Sequence, residues 1–114
     1  MSSRRDRDRL QDILGAIAAI ERDVYGLNEA QFLEDDRRVR SVLYSLVIVG
    51  EAAANLSESI KDKSPSTQWG DIKGMRNFIT HEYFRLNMNI VWDVIEDELP
   101  SLKSTVLSIL RDID

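Results

Sequence analysis

The chain has 114 residues, with 20 acidic against 15 basic side chains and a formal net charge of −5 at pH 7. That length holds one domain, taken as residues 1–114, with one modest core. The charge excludes a protein that coats nucleic acid with its whole surface, but not one that grips a short strand in a local basic cleft. Cysteine is absent, which removes disulfides and thiolate metal sites, and a hydrophobic fraction of 43% is ordinary for a soluble globular protein.

At the N-terminus Arg4, Arg5, Arg7 and Arg9 alternate with Asp6 and Asp8 and read as a solvated helix start, with no export signal behind it. A cytoplasmic location is therefore expected. Leu10, Ile13, Leu14, Ile17, Ile20 and Val24 then recur at spacings of three and four, the stripe of an amphipathic helix from Leu10 to Leu27. Gly26 and Asn28 supply a stop and a cap for a short turn over Glu29 to Leu33. Asp35 or Asp36 can cap the next helix. Its apolar residues Val39, Val42, Leu43, Leu46, Val47, Val49 and Leu56 surround much of its circumference, which makes it the central helix, fading near Ile60 and Lys61. Its apolar stretch, Val42 to Ala54, is interrupted by Tyr44, Ser45, Gly50 and Glu51, and falls short of the roughly 18 residues that span a bilayer.

Lys63 to Thr67, with Pro65 inside it, reads as a loop, and Trp69 to Tyr83 as a third long helical segment. Asn87 or Asn89 can cap a fourth, carrying Ile90, Val91, Val94 and Ile95. Pro100 then marks a first-turn position or a kink before the helix resumes to Ile113. The expected fold is all-α, an up-and-down bundle of four to five helices joined by short loops.

His81 is the one histidine, and this prunes the chemistry. A zinc-type site, a serine elbow and a glycine-rich phosphate loop all lack their residues. What remains is Gly74-Met-Arg-Asn-Phe-Ile-Thr-His-Glu-Tyr-Phe. On a helix Asn77 and His81 share a face, Arg76 and Tyr83 share a line, and Arg76 and His81 are about 140° apart. Phe78 and Ile79 would pack inward. An imidazole can take the proton of a ribose 2′-hydroxyl or protonate a leaving 5′-oxygen. A guanidinium can hold the phosphate between them, and an amide such as Asn77 can orient the ring or donate to the phosphate. Acid and base act on opposite sides of a phosphate, so one histidine per chain favours a two-fold dimer. On spacing alone, however, a histidine beside an arginine at a helix end is more often a surface or capping residue, and Tyr83 and Phe84 are more often core anchors. Glu51, in an otherwise apolar helix, is either a buried hydrogen-bonding group or a supporting partner for Arg76.

Arg76-Asn77-x-x-x-His81-x-Tyr83 resembles the R-x4-H-x-Y signature of the HepT-like HEPN ribonucleases. The resemblance extends to Ile48-Val-Gly-Glu-Ala-Ala in the central helix, to Trp69-Gly-Asp-Ile-Lys-Gly-Met-Arg-Asn, and to Asn89-Ile-Val-Trp-Asp with Asp97-Glu-Leu-Pro. It covers roughly Asp35 to Leu102. The resemblance implies a homodimeric, metal-independent endoribonuclease with Arg76 and His81 as the catalytic pair and Asn77 as polar helper, needing no cofactor and no metal. It further implies the toxin of a type VII-like HepT/MntA toxin–antitoxin module. There an MntA-like nucleotidyltransferase antitoxin would silence the toxin by AMPylation of Tyr83, and the substrate would be transfer or messenger RNA. The alternative is a non-catalytic helical binding module that acts as the partner or substrate of a nucleotidyltransferase.

Overall fold

The computed structural model describes residues 3–114, with side chains from Arg5 onward. Helix α1 (Ser3–Val24) turns Leu10, Ile13, Ile17 and Ile20 into the core, as their spacing requires. Gly26, at φ 77°, takes the left-handed conformation that releases the chain from the helix. Asn28 then forms a reciprocal capping box with Gln31, at 2.9 and 2.8 Å, and opens α2 (Glu29–Glu34). Phe32 on that short helix is fully buried and meets Trp92 with ring centroids 5.4 Å apart.

Asp35 accepts from the Arg38 N–H at 3.2 Å and caps α3 (Asp36–Ala54), the central helix, which packs on α1 and on α5. Val42, Leu43, Leu46, Val49, Ala52 and Ala53 carry its buried side. It ends at Ala54, short of the expected Ile60. The Asn55 amide turns back onto the Glu51 carbonyl at 2.8 Å, and Ser57 caps a separate turn, α4 (Glu58–Lys61). Ser57 also donates to Asp6 from its N–H at 3.0 Å and from its hydroxyl at 2.7 Å. Asp6 is only 4% exposed, so it is a buried tie between α1 and the α3–α4 corner and not a solvated charge. Arg7 and Arg9 stay partly exposed and Arg5 and Asp8 exposed, in keeping with a solvated start; the Arg4 side chain lies outside the described ones.

Helix α5 (Trp69–His81) lies against α3, and a 3-10 turn (Tyr83–Arg85) leads to Asn87, which caps α6 (Met88–Asp93). A wide π turn over Val94–Glu98 runs straight into α7 (Leu99–Ile113), with Pro100 in its first turn. Proline lacks an N–H and its ring would press on the carbonyl four residues back. The wider turn, in which the Leu99 N–H reaches the Val94 carbonyl, accommodates it. Among the described residues no strand forms, and no helix is long and apolar enough to cross a membrane. The fold is an all-α helical bundle.

Helices α3 and α5 approach very closely at Gly50. A Cβ placed on Gly50 would overlap the Arg76 Cβ and stand 3.1 Å from both the Arg76 Cγ and the Ile72 carbonyl oxygen. Two of those three atoms cannot move without shifting α5. Gly50→Ala should therefore cost about 1–3 kcal/mol, an overpacking penalty, and lower the Tm by roughly 4–12 °C. Thermal unfolding by circular dichroism checks this, and an unchanged Tm would mean that the helices are free to part.

Candidate active site

Arg76 leaves α5 directly over Gly50, so its stem is pinned before its charge has met anything. Its guanidinium forms an ion pair with Glu51, the next residue on α3, through Nη1. Its Nε donates to the Asn77 Oδ1 at 3.0 Å. A guanidinium only donates, so the amide oxygen of Asn77 is the atom turned toward it, and the Asn77 NH2 is left to donate elsewhere. The other Glu51 oxygen accepts from the Asn55 amide at 3.2 Å. Arg76 is 18% exposed in its side chain against 60% for Glu51, so the cation is recessed and its carboxylate partner faces solvent. Glu51 is thus exposed, not buried, and it makes both a hydrogen bond with the cap residue Asn55 and the contact with Arg76.

His81 is the last residue of α5 and is exposed; among the described residues its ring has no hydrogen-bond partner. Asn77 and His81 sit one turn apart on α5, with Thr80 between them donating to the Arg76 and Asn77 carbonyls at 3.0 and 3.1 Å. The structure thus joins Arg76, Asn77 and Glu51 directly and leaves His81 beside them, unattached.

Tyr83 departs from the sequence expectation. The helix stops two residues earlier, because Glu82 turns to φ −129°, ψ 34° and its N–H closes back on the Phe78 carbonyl at 2.8 Å. Tyr83 therefore shares no helical line with Arg76. It is 43% exposed, and Phe84, in edge contact with it at 5.4 Å, is 98% exposed, so neither anchors the core. Phe78 is also exposed, while Ile79 packs inward as expected. The phenol lies near a residue not singled out from the sequence, Arg40 of α3. The Arg40 guanidinium is held above its ordinary pKa by its hydrogen bond to Asp36, by that carboxylate's charge, and by Tyr83.

The family model described as "Ribonuclease HepT-like" matches residues 13–109. The chain belongs to the HepT-like ribonuclease family. Three relatives agree. A protein of Caldanaerobacter subterraneus subsp. tengcongensis named "Putative RNase TTE0752" is 35% identical over 92% of this chain and 94% of its own length. A "Probable ribonuclease HepT" of Thermococcus cleftensis is 32% identical over 88% and 91%. "Putative RNase MJ0127" of Methanocaldococcus jannaschii is 32% identical over 74% and 69%. No solved structure matches the chain.

Other features of this HepT-like chain stand apart from the Arg76 cluster. An open groove of about 910 Å³ runs between α5 and the α6–α7 segment, lined by Met75, Phe78, Leu86, Ile90 and Val94 among others. It lies on the side of α5 roughly opposite Arg76, at about 100° per residue. Of the basic residues nearest the motif in sequence, Lys61 pairs with Glu58, Lys63 with Asp112 and Arg85 with Glu82, while Lys73 has no ion pair among the described residues. Because Glu51 is exposed, Glu51→Ala should cost no more than about 1 kcal/mol of stability while releasing the Arg76 head. Thermal unfolding together with ¹⁵N relaxation of the Arg76 Nε–H checks both parts. An Arg76 side chain as ordered as in the parent would show that Gly50 and Asn77 suffice to hold it.

Proposed function

We propose that this HepT-like chain acts as a single helical domain and is a metal-independent endoribonuclease, with Arg76 and His81 as its catalytic pair. The observation that carries the reading is the recessed Arg76, oriented by Gly50, Glu51 and Asn77, with an exposed histidine one turn beyond Asn77 at the end of α5. Membership in a ribonuclease family supplies the reaction class. A neutral imidazole takes the proton from a ribose 2′-hydroxyl as that oxygen attacks the adjacent phosphorus. The 5′-oxygen leaves with a proton from an imidazolium, and Arg76 stabilises the charge gathering on the phosphoryl oxygens. The Asn77 NH2, free of the guanidinium, donates to the same phosphate.

Each chain carries one histidine, so the second proton-transfer group comes from a two-fold partner, and the functional unit is a homodimer. The exposed Phe84, Phe78 and Ile90 near the motif provide apolar area that a second copy can cover. The chain would be the toxin of a cytoplasmic toxin–antitoxin pair acting on transfer or messenger RNA. Its antitoxin would be an MntA-like nucleotidyltransferase for which Tyr83 is the acceptor. The phenol oxygen attacks the α-phosphorus of ATP, pyrophosphate leaves, and the phenolic proton is lost. The exposure of Tyr83 suits that role. In this geometry the new phosphodiester lies beside Arg40, outside the helical line of Arg76. Its bulk and negative charge would silence the enzyme without unfolding it.

A second reading, a non-catalytic module that serves as the nucleotidyltransferase's partner, draws on the absence of any group orienting His81 among the described residues. An RNase assay in EDTA separates the two. Protein expressed without a partner should cleave total RNA, and Arg76→Ala and His81→Ala should each lose about 10²-fold or more. Equal cleavage by parent and either variant would sink the assignment, and a dimeric parent with no activity would favour the binding module. With the antitoxin co-expressed, Tyr83→Phe should stay toxic and carry no AMP by mass spectrometry. AMP found on another residue would move the acceptor.

A further inference from the structure

Helix α3 carries more than the residues that hold Arg76. At about 100° per residue, Arg40, Tyr44 and Glu51 fall within roughly 40° of one another around its axis, beside the side on which Gly50 meets α5. All three are exposed, and Tyr44 is 70% exposed in the middle of an otherwise core-forming helix. An aromatic ring there contributes little to the core, and among the described residues its hydroxyl has no partner. Gly50 meets Ile72 and Arg76, while ten residues earlier on α3 Arg40 is within electrostatic reach of Tyr83, so the two helices run antiparallel. Arg76 lies at the Gly50 level and Tyr83 arrives near Arg40, with Tyr44 between those two levels on α3. Arg40 is ten residues from Gly50, about 15 Å along the axis.

We propose that Arg40 and Tyr44 extend the Arg76–His81 site into a track for single-stranded RNA, with Arg40 on a backbone phosphate beyond the scissile one and Tyr44 stacked under an intervening base. The inference rests on the ribonuclease reading of Arg76 and His81 and names the substrate form for that site. A cation, an exposed aromatic and a second cation in line with the reacting group are what a single strand uses, since every base offers a π-face and every linkage a charge. The chain's net acidity gives no general attraction for RNA, so binding must come from such a local line of contacts. In the free protein Arg40 donates to Asp36 at 2.7 Å, an exposed pair that a phosphate can displace. The Arg40 guanidinium also lies within electrostatic reach of the Tyr83 phenol. A nucleotide attached to Tyr83 would then lie across the track.

The test is fluorescence anisotropy with a labelled, fully 2′-O-methylated single-stranded RNA, which binds without being cut. Arg40→Gln should weaken binding about ten-fold and flatten the slope of log Kd against log salt by about 0.7, the loss of one phosphate contact. Tyr44→Ala should weaken binding by a similar factor, whereas Tyr44→Phe, which keeps the ring, should bind like the parent. Asp36→Asn, which releases Arg40, should tighten binding. Arg111→Gln, on α7, should change nothing. Unchanged affinity in both Arg40→Gln and Tyr44→Ala would overturn the track, as would a change in oligomeric state without a change in RNA affinity. If RNA binding falls as stated while the parent shows no cleavage in EDTA, the track stands and the catalytic assignment fails. If the parent cleaves and these variants bind normally, the track alone fails.

Discussion

The close approach of α3 and α5 at Gly50 governs where every chemical group of this protein lies. A side chain at that position would push the helices apart and move the Arg76 stem off its seat. With glycine there, the Arg76 Cβ rests on the α3 backbone and its guanidinium emerges beside Glu51 with little freedom left. The residue after the contact on one helix and the residue at the contact on the other therefore form an ion pair as a consequence of packing. Such an arrangement spends backbone freedom at Gly50 to gain a fixed cation.

That cation is held by one formal charge and one neutral oxygen, both near the surface. The Arg76 charge is thus largely balanced at rest, and a phosphate that approaches must share it with a solvent-facing carboxylate. His81 is built in the opposite way. It stands at the end of α5, where the chain leaves the helix, and no neighbour in the described chain directs its ring. A rigid cation beside an undirected imidazole is an incomplete constellation within one chain. On the proposed reading, a second copy or the substrate would supply the missing constraint.

Much of this was legible from residues alone, for identifiable reasons. The α1 stripe and the buried side of α3 follow from apolar spacing, and the Asn28, Asp35 and Asn87 caps follow from the chemistry of helix N-termini. The Arg76–His81 segment pointed to the family. Where the sequence misled, either a tertiary contact or an unsignalled local turn decided the outcome. Asp6 looks solvated in an alternating charge run until Ser57, 51 residues away, is brought against it. α3 ends early because Asn55 folds back on its own carbonyls, and α5 ends at His81 because Glu82 leaves helical geometry although nothing in His-Glu-Tyr-Phe demands it. Helical spacing alone therefore puts Tyr83 on the line of Arg76. Arg40 went unnoticed since its relation to Tyr83 exists only across the α3–α5 pair. An exposed tyrosine seven residues before Glu51 on a core helix was the one available clue.

The central claim is that a ribose 2′-oxygen, activated by histidine and not water activated by a metal, attacks the phosphate held by Arg76. The most direct measurement is the chemical identity of the RNA ends that the unmodified protein produces. The account predicts 2′,3′-cyclic phosphate on one fragment and 5′-hydroxyl on the other, lost together in His81→Ala. Fragments ending in 3′-hydroxyl and 5′-phosphate would show that water is the nucleophile and would contradict it.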